Sequence, residues 1–209
     1  TKPNNIDEID NLLTHDNDIA AIILEPTGAH MGWTPVRPSF LFELREITKK
    51  HGVVLIFDEV VTGFRTSIGG AQKLYGVTPD VCSLAKIVGG GLPAGAVAGK
   101  KDIINTIEIG QDQRIAHYGT FNANPMTMVA GEATLNQLTT EKYIKLNEMG
   151  NRVRNELQTV FDELEVPARV TGTGSLFGMH FSNHDVVDYR TMKLANQKMK
   201  QAMFKGMLD

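Results

Sequence analysis

Hydrophobic positions along the chain change their period several times, and each change marks an element. Ile6, Ile9, Leu12 and Leu13 recur at helical spacing, and His15-Asp-Asn-Asp18 then reads as a turn. Ile19 to Leu24 is a continuous apolar run that predicts a buried strand. Pro38 to Lys50 places Phe40, Leu41, Leu44 and Ile47 on one helical face, with Pro38 at the start and Gly52 past the end, the punctuation a helix favours. Val53 to Phe57, Val81 to Ala85, Ala94 to Ala98 and Ile115 to Tyr118 read as further short strands. Their apolar residues run on without alternating, which predicts cover on both faces. Strand and helix in alternation make an α/β layer with a mostly parallel sheet flanked by helices.

After Asn124-Pro125 the period becomes 3.6, with Met126, Val129, Ala130 and Leu135 and then a long charged amphipathic run from Glu141 to Leu164. These predict a linking helix pair. Val166 to Thr171 and Ser175 to Phe181 predict two strands about Gly172-Thr-Gly174, and Tyr189 to Leu208 predicts helix again. A domain change is placed in the helix between about Leu135 and Glu148. Residues 1–140 then belong to a large domain, and 141–209 to a linking helix and part of a small C-terminal α+β domain.

Composition bounds the partners. The chain has 209 residues, a net charge of −3 and 42% hydrophobic residues, an ordinary balance for a protein with a sizeable core. No basic excess points to nucleic acid, and no apolar run approaches the roughly 18 residues of a membrane span. Neither nucleic acid nor membrane is therefore expected as a partner. Cys82 alone forms no internal disulfide, and no basic and apolar leader opens the chain, so a cytoplasmic location is expected. A start at Thr1 without methionine, and an end with no helix stop except Gly206, read as a piece of a longer protein.

Two segments carry chemistry. Val53-Val-Leu-Ile-Phe-Asp58-Glu59-Val60 delivers a carboxylate at the end of an apolar strand, the edge where parallel sheets bind ligands. Alone, it also fits the magnesium carboxylate of a nucleotide hydrolase, or an Asp that caps the next turn. In Val81-Cys-Ser-Leu-Ala-Lys86-Ile-Val-Gly89-Gly90-Gly91-Leu-Pro93-Ala-Gly95, a lysine with apolar flanks precedes three glycines. Glycines let backbone approach a ligand, and apolar surroundings push a lysine toward the neutral, nucleophilic form that a Schiff base requires. An isolated lysine at a strand end more often simply reaches into solvent. The glycines lack the Gly-Lys-Ser/Thr ending of a phosphate loop, which weighs against a nucleotide-binding module.

Glu25-Pro26, Phe57 through Arg65, Asp80 through Gly95, and Gly119-Thr120-Phe-Asn-Ala-Asn124-Pro125 resemble, in order and spacing, the class III, fold-type I aminotransferases that use pyridoxal phosphate (PLP). The resemblance runs from about Ile19 to Ser182. Gly69-Gly-Ala-Gln72 and Gly76-Val-Thr-Pro79-Asp80 look most like the glutamate-1-semialdehyde 2,1-aminomutase branch of that family. It implies a fold-type I large domain with part of a small one. The implied activity is amino-group transfer between small-molecule donor and acceptor or, in the aminomutase, within one molecule.

By the same resemblance Lys86 forms the Schiff base with PLP and moves the proton, and Asp58 pairs with the pyridine nitrogen, which lets the cofactor accept electrons. Val60, two residues on and so on the same strand face, packs on the ring. Thr120, with Gly119, reaches the phosphate of a neighbouring subunit, implying a homodimer with a shared site. His30 stands where the aminomutase pattern has an asparagine bonded to the cofactor's phenolic oxygen; histidine also donates there, but it is larger and titrates. Glu25 supports the site from behind, Trp33 packs nearby, Arg65 is structural or positions the domains rather than clamping a substrate carboxylate, and Cys82 is a small buried hydrophobe. The phosphate cup and the ring-stacking aromatic of the family lie before the region this chain covers. A scaffold that keeps the fold without catalysis is the remaining alternative, and the presence of both Lys86 and Asp58 argues against it.

Overall fold

The computed structural model describes residues 1–107 and 115–208. Two compact units emerge: Asn5–Pro26 with Arg37–Thr140, and Thr27–Val36 with the residues from Glu141 on. No helix among the described residues is long and apolar enough to cross a membrane.

The first unit opens with α1 (Ile6–His15), capped by Asn5, whose side chain accepts the Glu8 N–H. There follow β1 (Ala21–Leu24), α2 (Pro38–His51), β2 (Val54–Glu59), α3 (Gly70–Tyr75), β3 (Val81–Ala85), β4 (Gly95–Gly99), α4 (Lys101–Ile104) and α5 (Pro125–Leu135). Gly52 at φ 68° ends α2 in the left-handed conformation, as its position in the sequence predicts. The strands lie in the order β1-β2-β3-β4, the first two pairings parallel and the last antiparallel. Leu41 and Leu44 of α2 and Leu55 and Phe57 of β2 are at most 1% exposed where that helix packs on the strand. Burying such a side chain contributes about 1.5–3 kcal/mol.

Asp80 ties the start of β3 to β2 from below. Its Oδ2 accepts the Leu55 N–H at 2.7 Å and Arg45 Nη1 at 2.9 Å, and Lys100 Nζ lies 2.7 Å from Oδ1. Burial works to raise the Asp80 pKa, but the Leu55 amide, Lys100 and Arg45 together hold it below the usual carboxylate range.

Two expectations fail here. Ile23 and Val97 are exposed, and β4 is exposed along its length, so the described residues do not cover both faces of the sheet. An apolar run reports hydrophobicity, not which layer supplies the cover. Ile115 to Tyr118 forms no strand, and its four residues are exposed.

The second unit holds α6 (Thr140–Glu163, its first residue in the other unit), β5 (Arg169–Thr173), β6 (Leu176–His180), α7 (Tyr189–Lys193) and α8 (Gln197–Gly206). The two strands form an antiparallel hairpin that turns at Gly174-Ser175, so Gly172 lies inside β5 rather than in the turn. Phe161 and Phe181 meet edge to face at 5.8 Å and, with Ala168, form a core onto which Leu157, Val170, Met179 and Met203 pack. The single helix expected over 189–208 is two. Asp188 and Thr191 form a capping box for α7, and Asn196 accepts from the Lys198 and Met199 amides to start α8.

Candidate functional site

Parallel pairing sets the site. Asp58 lies opposite Ser83 and Glu59 opposite Leu84, while Leu24 lies opposite Phe57. Glu25 just after β1, Asp58 near the end of β2 and Lys86 just after β3 therefore share the C-terminal edge of the sheet. Successive residues of β2 face opposite ways: Leu55, Phe57 and Glu59 are buried, and Asp58, on the other face, is half-buried.

Asp58 Oδ1 accepts the Val60 N–H at 3.1 Å and the Ser83 hydroxyl at 3.2 Å. No described residue donates to Oδ2. The first contact is an Asx turn. Val60 is already past the strand end, so it does not share a strand face with Asp58; its amide closes the turn instead.

Glu59 faces the interior. Its Oε2 accepts the Ala71 N–H at 2.6 Å and the Thr62 hydroxyl at 2.9 Å, and its Oε1 accepts Gln72 Nε2 at 2.9 Å. Gly70, at φ 63°, leaves room for this carboxylate, which a methyl group would overlap. The effect is to fasten the loop after β2 to the start of α3. A hollow of about 1020 Å³ on this side is lined by Phe42, Glu59, Phe64, Cys82 and Leu84, and neither Asp58 nor Lys86 borders it. Burial, and then the Glu59 carboxylate, push the Cys82 thiol up, so that group is a poor nucleophile.

Lys86 begins a single 3₁₀ turn, Lys86–Gly89, with φ 53°. A side chain in this left-handed conformation costs on the order of 1–2 kcal/mol, a strain that functional sites tend to hold. The side chain is exposed and makes no ion pair or hydrogen bond with any described residue. With Gly90, Gly91 and Thr134 it borders a shallow hollow of about 570 Å³.

Helix α5 packs directly on the lysine turn. A methyl at Gly131 would overlap the Val88 carbonyl oxygen, and one at Gly90 would overlap the Ala130 carbonyl, so the two backbones are in contact. The Thr127 hydroxyl also reaches the Pro93 carbonyl at 3.4 Å. The packed face of α5 is thus Thr127 and Gly131, while Met126 and Val129, read from the sequence as its apolar face, point to solvent.

Gly119 and Thr120 lie in the exposed turn before α5, closed by the Asn122 N–H on the Gly119 carbonyl. That turn makes no hydrogen bond to Asp58 or Lys86. His30 belongs to the second unit, exposed in the turn 29–32. Two residues on, the Gly32 carbonyl accepts from the Thr171 hydroxyl and from His180 Nε2. Burial pushes the His180 pKa down, against the hydrogen bond to Gly32 and with repulsion from Lys200. Trp33 packs on Gly178 of the hairpin. Among the described residues no cluster of His, Cys, Asp or Glu could hold a metal ion.

Ser83 and Gly131 escape a reading of the sequence. Ser83 becomes relevant only through strand register. Gly131 left a signal, since a glycine inside a helix costs about 1 kcal/mol and calls for a packing reason.

The model of the family described as Aminotransferase class-III matches residues 2–207. The chain belongs to the class III aminotransferase family. It is 42% identical to glutamate-1-semialdehyde 2,1-aminomutase 2 of Lachnoclostridium phytofermentans, a match over all of this chain and 49% of that protein. Among solved structures, an omega-transaminase from Sphaerobacter thermophilus superposes with a TM-score of 0.86 at 42% identity, over 93% of this chain and 44% of the other. A β-phenylalanine aminotransferase from Variovorax paradoxus gives 0.87 at 33% identity, over 95% and 46%. This class III aminotransferase chain spans about half the length of the curated relatives it matches. Its fold is the fold-type I architecture that the motifs imply, and the nucleotide-hydrolase reading of Asp58 has no support.

Proposed function

We propose that the full-length protein transfers amino groups with PLP. The observation that carries this reading is the placement of Asp58 and Lys86 at one edge of adjacent parallel strands, in a register that leaves Asp58 Oδ2 and the Lys86 amine without partners among the described residues. The residues fit the cofactor. An acceptor oxygen suits the protonated ring nitrogen, a lysine amine suits the aldehyde carbon, and Gly91, where an added methyl would meet nothing within 4 Å, leaves the lysine turn open on that side. Bound PLP supplies an electron sink that stabilises negative charge at the substrate carbon. Asp58 holds the ring nitrogen, and the Lys86 amine takes the proton from the substrate carbon and returns it. Glu25, at the same edge, supports the site; His30 serves the phenolic oxygen.

Transfer within one molecule, the aminomutase reaction, is the second reading, favoured by the names of the curated relatives. Thr120 completes the phosphate site of a partner subunit. Supporting a homodimer, Tyr118, Phe121, Met126 and Val129 around it are 78%, 77%, 72% and 66% exposed, a run of apolar surface that a second subunit would cover. A lone, buried cysteine agrees with a cytoplasmic location.

Borohydride reduction of the full-length holoenzyme tests the reading. It should fix the cofactor on the peptide containing Lys86, and Lys86→Ala should abolish turnover with the fold intact. Labelling at Lys73 or Lys100, or full activity in the variant, would overturn it. Assay against glutamate-1-semialdehyde and a panel of amino donors separates the two reactions.

A further inference from the structure

Ser83 of β3 faces Asp58 of β2 across a parallel pair. A carboxylate oxygen only accepts, so the Ser83 hydroxyl 3.2 Å from Asp58 Oδ1 is the donor of that contact. The Val60 amide donates to the same oxygen at 3.1 Å. Two donors from different elements therefore meet on one oxygen. A single donor leaves a short carboxylate free to swing about it, whereas two donors in different directions fix both its position and its plane. The backbone amide is set by the turn, so the part of this grip that a side chain determines is Ser83.

We infer that Ser83 is a positioning residue: its hydroxyl holds Asp58 so that Oδ2 alone is presented to the ring nitrogen of the bound cofactor. The inference rests on the proposed cofactor role of Asp58. It also explains why a polar residue interrupts the apolar run Val81-Cys82-Ser83-Leu84-Ala85. The strand that carries the residue orienting the acid then leads, three positions on, into the lysine.

The test is a double-mutant cycle in the full-length holoenzyme with Ser83→Ala, Asp58→Asn and the pair. Two quantities are read: kcat, and the pH at which the visible absorbance of the bound cofactor titrates. Losing one hydrogen bond to a charged acceptor predicts roughly a tenfold fall in kcat for Ser83→Ala, with a shifted absorbance titration. In the Asp58→Asn background the same change should have little further effect, because nothing remains to be positioned. Ser83→Thr, which keeps the hydroxyl, should recover most of the loss. A purely structural serine would lower the melting temperature, leave the titration where it was and add to Asp58→Asn. Asp58→Asn with a strong effect beside an unaffected Ser83→Ala would overturn this inference alone. So would Ser83→Thr failing as badly as Ser83→Ala while melting like the wild type. Asp58→Asn without effect would bring down the cofactor reading and this inference with it.

Discussion

Replacing Gly131 by alanine sets two effects of known sign against each other. Inside a helix, alanine is preferred over glycine by about 0.5–1 kcal/mol, so on propensity alone Gly131→Ala stabilises. The added methyl, however, would overlap the Val88 carbonyl oxygen well inside the 3.0 Å that real Cβ contacts respect. The obstacle is backbone, not the end of a flexible side chain, and Gly90 meets the Ala130 carbonyl just as closely, so the turn cannot slide sideways to relieve it. Overpacking of this kind costs about 1–3 kcal/mol, which outweighs the propensity gain. Relief requires α5 and the 3₁₀ turn to part by roughly 1 Å, the scale of a van der Waals gap. That turn begins with Lys86, the lysine proposed to hold the cofactor, and a misplacement of about 1 Å at a reacting group costs up to ~10²-fold in rate. Thermal melting and kcat/KM of the full-length variant, with borohydride labelling at Lys86, measure both consequences. A Gly131→Ala protein that melts above the wild type and turns over normally would refute the packing of α5 on the lysine turn.

Glu59→Ala strips three hydrogen bonds from a buried carboxylate and should cost about 3–5 kcal/mol in urea unfolding, whereas Glu59→Gln should cost less than half as much, because the Gln72 amide can turn its oxygen toward the new NH₂. Asp80→Asn leaves Arg45 without its charge partner and should also cost about 3–5 kcal/mol. Because the folded pKa of Asp80 is depressed, the unfolded chain takes up its proton first as pH falls, so this contribution is complete at neutral pH and is lost as pH drops through the folded value. Acid-unfolding profiles of wild type and variant should converge in that range, and parallel profiles would contradict the assignment. Mixing inactive Lys86→Ala chains with inactive Thr120→Glu chains should restore part of the activity if Thr120 serves the partner's phosphate. No recovery despite demonstrated subunit exchange leaves Thr120 an ordinary turn residue.

What could be read in advance follows how local each feature is. Lys86 announces itself because its apolar flanks and glycines are contiguous, and α2 does so because Pro38 and Gly52 bracket its apolar face. The contact between Ser83 and Asp58 joins residues 25 apart and exists only in one register of two strands. The grouping of Thr27–Val36 with the second unit rests on Gly32 bonded to Thr171 and His180, 139 and 148 residues downstream. For α5 the apolar pattern pointed to the wrong face, because close backbone approach selects small residues, Thr127 and Gly131, over large ones. The break between α7 and α8 is legible in the sequence, because Asn196 is a cap residue standing inside the stretch 189–208.

Asp58 and Glu59 show why composition alone could not separate a carboxylate presented at the sheet edge from one held inside the fold. The two are chemically near-identical neighbours, and the pleat of β2 sends them to opposite faces. Glu59 has a donor from its own chain on each oxygen, Ala71 and Thr62 on Oε2 and Gln72 on Oε1. Asp58 has one oxygen held by Val60 and Ser83 and the other unclaimed by any described residue. A slip of one residue in the pairing of β2 would exchange these fates, burying Asp58 against α3 and turning Glu59, one methylene longer, toward the lysine turn. The fastening of Glu59 to α3 therefore does more than stabilise the loop: it resists that slip, and in doing so it determines which of the two acids the sheet edge presents.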